Sequence, residues 1–190
     1  MMMLDAPALE TPPRPRPELT GGPNEPWISR EAIKRLDELL KPEMTAIEWG
    51  SGAGTVWYAA RVKELHTFEH NEVWAQRLQA YFDAYGKGRF FLHHVLSTPG
   101  GPEEYAGVDG RYYEDYSSAP GAPDKADAIF VDGRARNACL RTAVQKLKPG
   151  GVLVLDDARR TRYDISIVPV TWVVEEYYNE VYATKIWICD

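Results

Sequence analysis

The stretch Ala46-Ile47-Glu48-Trp49-Gly50-Ser51-Gly52-Ala53-Gly54-Thr55 constrains this chain more than any other. An apolar lead-in (Met44, Ala46, Ile47) reads as a short buried strand ending in an acid, Glu48. Gly50, Gly52 and Gly54 follow at every second position, and Val56-Trp57-Tyr58-Ala59-Ala60 then opens a helical pattern. Glycines at such a turn let the backbone reverse sharply and approach a ligand, with a helix N-terminus aimed at it. The spacing is G-x-G-x-G after an acid. A dinucleotide fingerprint, G-x-G-x-x-G, would need a glycine where Thr55 stands.

What surrounds the turn gives it meaning. Ser29 reads as the N-cap of a helix with Ile33, Leu36, Leu39 and Leu40 on one face, ending before Pro42. Leu65 to Glu69 reads as a second strand. Asn71 caps a helix carrying Trp74, Leu78, Tyr81, Phe82 and Tyr85, closed by Gly86. Arg89 to Val95 is a third strand and Ala126 to Val131 a fourth, followed by a helix with Leu140, Val144 and Leu147. Pro149-Gly150-Gly151 makes the turn into a fifth strand, Val152 to Leu155. Strands and helices alternate, and the strands are short apolar runs. That predicts an α/β fold: a doubly wound, mostly parallel sheet covered on both faces. The tail, Val170 to Tyr177 and Val181 to Cys189, alternates around Asn179-Glu180 and reads as a closing antiparallel hairpin.

Two segments fall outside the alternation. Residues 1–26 hold seven of the fourteen prolines with almost no apolar period, and read as a disordered or extended arm. Residues 97–125 hold five glycines, four prolines and four tyrosines (Tyr105, Tyr112, Tyr113, Tyr116). They read as a lid over the ligand edge of the sheet, with tyrosines able to stack on a sugar or aryl ring. The expected organisation is an arm, 1–26, and one domain, 27–190.

Composition bounds the function. The 190 residues, 44% hydrophobic, suffice for one sizeable core. A net charge of −6 argues against nucleic-acid and anionic-membrane partners. Met-Met-Met-Leu is followed at once by Asp5, without a signal peptide's apolar core, and no apolar stretch approaches the ~20 residues that span a bilayer. Two cysteines, Cys139 and Cys189, suggest a reducing compartment, so the expected location is cytoplasmic.

In this topology ligands sit beyond the carboxyl ends of the strands. The residues at those ends are Glu48 with the glycines, then Glu69, Asp132, and Asp156-Asp157. Glu69 lies 19 residues after Gly50, where a carboxylate can accept hydrogen bonds from both hydroxyls of a ribose.

At this point the chain resembles the class I S-adenosylmethionine-dependent methyltransferases. The resemblance rests on Glu48-Trp49-Gly50-Ser51-Gly52-Ala53-Gly54, Glu69, Ala128-Ile129-Phe130-Val131-Asp132, and Leu147-Lys148-Pro149-Gly150-Gly151 leading to Asp156-Asp157. It implies S-adenosylmethionine as cofactor, bound by Glu48, Gly50, Ser51, Gly52, Gly54, Glu69 and Asp132. Glu48 and the glycine loop would hold the amino-acid end, Glu69 the ribose, and Asp132 would lie near the reacting methyl. The loop after His94-Val95 would border the adenine.

Methyl transfer from a sulfonium is mostly a matter of positioning, plus a base if the acceptor is a hydroxyl. Asp132, Asp156 and Asp157 are the catalytic candidates. Three strand-end acids also resemble the metal site of catechol-type O-methyltransferases. The pattern departs from that family at Asp157 and Ala135, so magnesium is not the favoured expectation. His93-His94 adds no chelate, because adjacent strand residues face opposite ways. Arg134, Arg136, Arg159, Arg160 and Arg162 flank the same face and point to a small, anionic or saccharide-like acceptor methylated on oxygen. Two alternatives stay open: an NAD(P)-dependent oxidoreductase, which Glu69 would serve equally well, and a non-catalytic nucleoside-binding scaffold. The sequence leaves the oligomeric state open.

Overall fold

The computed structural model describes Leu19, residues 24–86 and residues 89–190. Helix α1 (Arg30–Leu39) leads into β1 (Thr45–Trp49), α2 (Ala53–Ala59), β2 (Glu64–Glu69), α3 (Glu72–Tyr85) and β3 (Arg89–His94). A short helix α4 (Glu114–Ser118) precedes β4 (Ala126–Val131), α5 (Arg136–Lys146), β5 (Leu147–Leu155), β6 (Val173–Tyr178) and β7 (Ala183–Ile188). The strands form one seven-stranded sheet in the order β3-β2-β1-β4-β5-β7-β6. From β3 to β5 every pairing is parallel; β7 runs antiparallel between β5 and β6. The expected doubly wound sheet with a closing hairpin is what the chain forms.

Why the strands read as unbroken apolar runs is visible in the packing. Ile47, Trp49, Ile129, Val131, Leu153 and Leu155 face one core, against α4 and α5. Their alternates Ala46, Ala128, Phe130, Val152 and Val154 face the other, against α1 and α2. With period-two alternation and both faces covered, nearly every residue of the central strands β1, β2 and β4 is buried on one side or the other, while the edge strands β3 and β6 stay partly exposed. Ser29 caps α1 by accepting from the Ala32 N–H at 3.2 Å, and Asn71 caps α3 by accepting from Trp74 N–H at 3.0 Å.

The fifth strand corrects one expectation. Pro149-Gly150-Gly151 is not a turn before the strand but a bulge within it: Ala126 pairs with Leu147 and Ala128 with Val152, so Lys148 to Gly151 stand opposite Asp127 alone. Gly150 adopts φ +73°, which only glycine takes without strain.

Residues 97–125 are also more ordered in their packing than a lid of stacking rings. Thr98 and Ala106 each bridge to Tyr112, and Glu103–Tyr105 make a 3-10 turn. Tyr113 and Tyr116, expected to face an acceptor, are buried in the core beside Trp49 and Phe68. The α4 turn at Tyr113-Glu114-Asp115-Tyr116 places both rings on its inner side. Most of the proline-rich arm lies outside the described residues. Its described part is packed: Leu19 is 3% exposed, against Val56, Leu78 and Tyr81.

Candidate active site

The strand order reverses between β1 and β4, and the crevice at that switch point is where this architecture takes ligands. Two cavities open there. One, of about 150 Å³, lies over the glycine loop; the other is a cleft of about 700 Å³ running out past β4 and β5. Gly50, Ser51 and Asp132 line both.

Glu48 shares the face of Ala46, and its side chain turns under the glycine loop. It is 3% exposed. Its Oε2 accepts from Thr67 Oγ1 at 2.6 Å and from Thr55 Oγ1 at 2.8 Å. Thr55 Oγ1 in turn accepts from the Gly52 N–H at 2.7 Å. The threonine that breaks a dinucleotide fingerprint is thus the strut between loop and strand-end acid. Burial pushes the Glu48 carboxyl up to about 8, with the charges of Asp132 and Glu69 adding to it and the two threonine hydroxyls opposing. Neither threonine stood out as a site residue in the sequence. The signal was there in the β1–β2 register, which sets Glu48 opposite Thr67.

Glu69 ends β2 and ties three segments together. Oε2 accepts from the Ser51 N–H at 3.2 Å and Ser51 Oγ at 2.9 Å; Oε1 accepts from the N–H groups of His70 and Asn71 at 2.9 and 2.7 Å. His70 Nδ1 lies 3.0 Å from Oε1. Burial works against this carboxylate, yet the hydrogen bonds from His70, Asn71 and Ser51 hold it below its ordinary range. It stays ionised at neutral pH.

Asp132 follows β4 in phase with Ala128 and Phe130, so it emerges on the Glu48 face. Its side chain is 53% exposed, at the floor where the two cavities meet. Desolvation and the charges of Asp156 and Asp157 raise its carboxyl while Arg136 opposes them; because the side chain is half exposed, the neighbouring carboxylates are the cause that counts. Asp132 and Asp156 titrate as a pair, and both members are raised. Asp156 accepts from Thr184 Oγ1 at 3.3 Å and lies off the cleft wall; Asp157 is on it, in a left-handed conformation (φ +54°), paired with Arg160 at 2.5 Å.

The arginines do not act together as the sequence suggested. Arg136 is 9% exposed and internal: Nη2 donates to Asp132 O at 2.8 Å and Asp132 Oδ1 at 2.7 Å, Nε to Gly133 O at 3.0 Å, and Nη1 to Asp156 O. It clamps the ends of β4 and β5 and is not free for an acceptor. Arg159 donates to Asn179 O and does not line the cleft. Arg134, Arg160 and Arg162 line it along with Arg136, and so does Arg141, which no sequence signal singled out. Among the described residues no three His, Cys, Asp or Glu side chains are grouped to hold a metal, and no helix there is long and apolar enough to cross a membrane.

The residues fit S-adenosylmethionine on their own geometry. A Cβ built on Gly52 would meet nothing within 4 Å, so the loop presents bare backbone to the cavity. Carboxyls stand beneath and beside it, and aromatic rings of Tyr58, Trp74 and Phe130 wall it. Sheet order, glycine loop and strand-end acids together define a class I S-adenosylmethionine-dependent methyltransferase.

Comparison with known proteins agrees. Residues 47–158, more than half of the chain, match the family model described as "Methyltransferase domain", and the chain belongs to that family. The nicotinamide alternative is thereby set aside. No curated protein matches the sequence. Among solved structures it is similar to a methyltransferase-like protein of Silicibacter pomeroyi, at 20% identity and TM-score 0.59, over 87% of this chain and 89% of the other. It is similar to SMU.1697c of Streptococcus mutans, solved with SAH, at 13% identity and TM-score 0.59, over 85% and 98%. A third is an rRNA methylase of Streptococcus thermophilus, at 14% identity and TM-score 0.59, over 86% and 99%. At these identities what is shared is the fold.

The last neighbour corrects one expectation. A net charge of −6 had argued against nucleic acid as a partner, but the same fold, nearly end to end, belongs to a protein described as an rRNA methylase. Net charge is a property of the whole surface, whereas five arginines and four acids line the cleft itself, Arg136 being held by its internal bonds. Nucleic acid is not excluded as an acceptor.

Proposed function

We propose that this methyltransferase methylates an oxygen of an anionic acceptor held in the larger cleft, with Asp132 as the base. The observation that carries this is the position of Asp132, on the wall common to the small cavity and the cleft. Bound over the glycine loop, S-adenosylmethionine supplies a methyl already activated on a sulfonium sulfur. The protein's own task is to orient the acceptor and accept its proton. A carboxyl raised toward neutral pH suits that task better than an ordinary aspartate, because it can both hold and release a proton under working conditions. Arg134, Arg141, Arg160 and Arg162 supply the charge complementarity for a phosphate or carboxylate. Glu48, Gly50, Ser51, Gly52, Gly54 and Glu69 are assigned to donor binding. Asp157 positions Arg160, and Asp156 acts only through Asp132.

The test is transfer of labelled methyl from S-adenosylmethionine to a panel of phenolic and sugar acids, nucleotides and RNA fragments, with and without EDTA. We expect turnover on an anionic hydroxyl compound, unaffected by EDTA and lowered about 100-fold or more by Asp132→Asn. Transfer to a neutral acceptor or to a base nitrogen, indifferent to that substitution, would sink the proposal.

A further inference from the structure

The segment that enters α1 lies across the mouth of the small cavity, anchored on both sides of Trp27. Upstream, the Leu19 N–H donates to Asn24 Oδ1 at 2.8 Å, and Asn24 Nδ2 donates to Tyr81 Oη at 3.0 Å. Pro26 rests on the glycine loop, with its Cβ 3.2 Å from where a Cβ on Gly54 would stand. Downstream, Ile28 is buried in the core that includes Trp57 and Tyr58. Between these fixed points Trp27 is 68% exposed. An isolated exposed tryptophan needs no explanation, but this one lines a cavity, together with Pro26, Tyr58, Trp74 and Phe130.

The chemistry of that cavity selects its guest. The aromatic rings of Trp27, Tyr58, Trp74 and Phe130, with the Asp132 carboxyl at the edge, favour a cation carried on a short apolar chain. The volume, about 150 Å³, is that of a cavity able to take a benzene-sized group, and is too small for a nucleoside. The adjoining cleft has room for one. S-adenosylmethionine divides the same way: an adenosine, and an amino-acid tail with an ammonium on a short alkyl chain. We infer that Trp27 is a donor-binding residue, its ring and Pro26 forming the outer wall of the subsite for the amino-acid tail. The strap at residues 24–28 is then part of the donor site rather than a linker to it.

Isothermal titration with S-adenosylhomocysteine and with 5′-methylthioadenosine, which lacks the tail, separates this from a general effect on the fold. Trp27→Ala should weaken S-adenosylhomocysteine roughly tenfold and leave 5′-methylthioadenosine within about twofold of wild type. Trp27→Phe keeps a ring at the position and should retain most of the affinity. The melting temperature of the ligand-free Trp27→Ala protein should stay at the wild-type value, since the side chain is mostly in solvent. Equal weakening of both ligands, weakening of neither, or a Phe variant as weak as the Ala variant overturns the assignment.

Discussion

Gly50 and Gly133 meet backbone to backbone: a Cβ built on Gly50 would stand 2.5 Å from the Gly133 nitrogen and 2.6 Å from its Cα. The turn after β1 and the turn after β4 are therefore one packed unit, and the two halves of the site cannot move apart independently. Gly50 also adopts φ +90°, so a side chain there is strained twice over. Gly50→Ala should cost roughly 2–4 kcal/mol in denaturant unfolding. Gly52→Ala is the contrasting case. That position is extended (φ −174°) and open, so stability should stay within about 0.5 kcal/mol while the added methyl intrudes on the donor. The expected result is a normal melting temperature with little thermal shift on adding S-adenosylhomocysteine.

Arg136 supports a second prediction. Its guanidinium satisfies three main-chain carbonyls and the Asp132 carboxylate, all at the ends of β4 and β5. Arg136→Met leaves those carbonyls without that donor and the Asp132 carboxylate without its counter-charge, which should cost about 3 kcal/mol or more. Arg136→Lys keeps the charge but not the planar fork and should recover only part of the loss. An unaltered denaturation midpoint in the Met variant would show the clamp to be dispensable.

What was legible in the sequence follows from where each signal resides. The sheet was readable because covering both faces forces continuous apolar runs, as in Ala128-Ile129-Phe130-Val131. The strand-end acids were readable because charge has little reason to end such runs except at a ligand edge. Arg136 and Arg134 looked alike because they are two residues apart on a basic turn. Only the fold, which brings the carbonyls of Asp132, Gly133 and Asp156 around the Arg136 guanidinium, decides that this one is held internally while Arg134 is left to the cleft. Tyr113 and Tyr116 had no periodicity to betray their burial, since α4 is five residues long and takes its place from the core it covers. Trp27 carried no motif at all; its meaning comes from lying across a cavity built by residues 48 to 58, 74 and 130–132.

Glu48 gives stability a defined pH dependence. Its carboxyl titrates near 8 in the folded protein, and near the ordinary 4.5 when unfolded. Folded chains then bind a proton that unfolded chains have released, so this group's stabilisation is complete below about 4.5 and is lost as pH rises through 8. Glu48→Gln removes the titration. Relative to that variant, wild type should lose roughly 3–5 kcal/mol between about pH 5 and pH 9. Denaturant unfolding of both proteins across that range is the measurement. A constant difference would mean the carboxyl is already ionised beneath the loop.

The Asp132–Asp156 pair should be visible in kinetics. Asp132 is raised by desolvation and, its side chain being half exposed, chiefly by the Asp156 and Asp157 carboxylates. In its proposed role as base it is inactive while protonated, so the turnover rate should climb with pH through a midpoint above the ordinary aspartate range and then level off. Asp156→Asn removes a neighbouring negative charge, which lowers the titration of Asp132 and moves the rising limb to lower pH without abolishing turnover. Asp132→Asn should remove the limb altogether and leave a slow, flat profile. If the limb instead persists unchanged in the Asp156→Asn protein, the two carboxyls do not share a titration. A limb that survives Asp132→Asn assigns the proton transfer to another group, with His70, which also lines the cleft, as the next residue to replace.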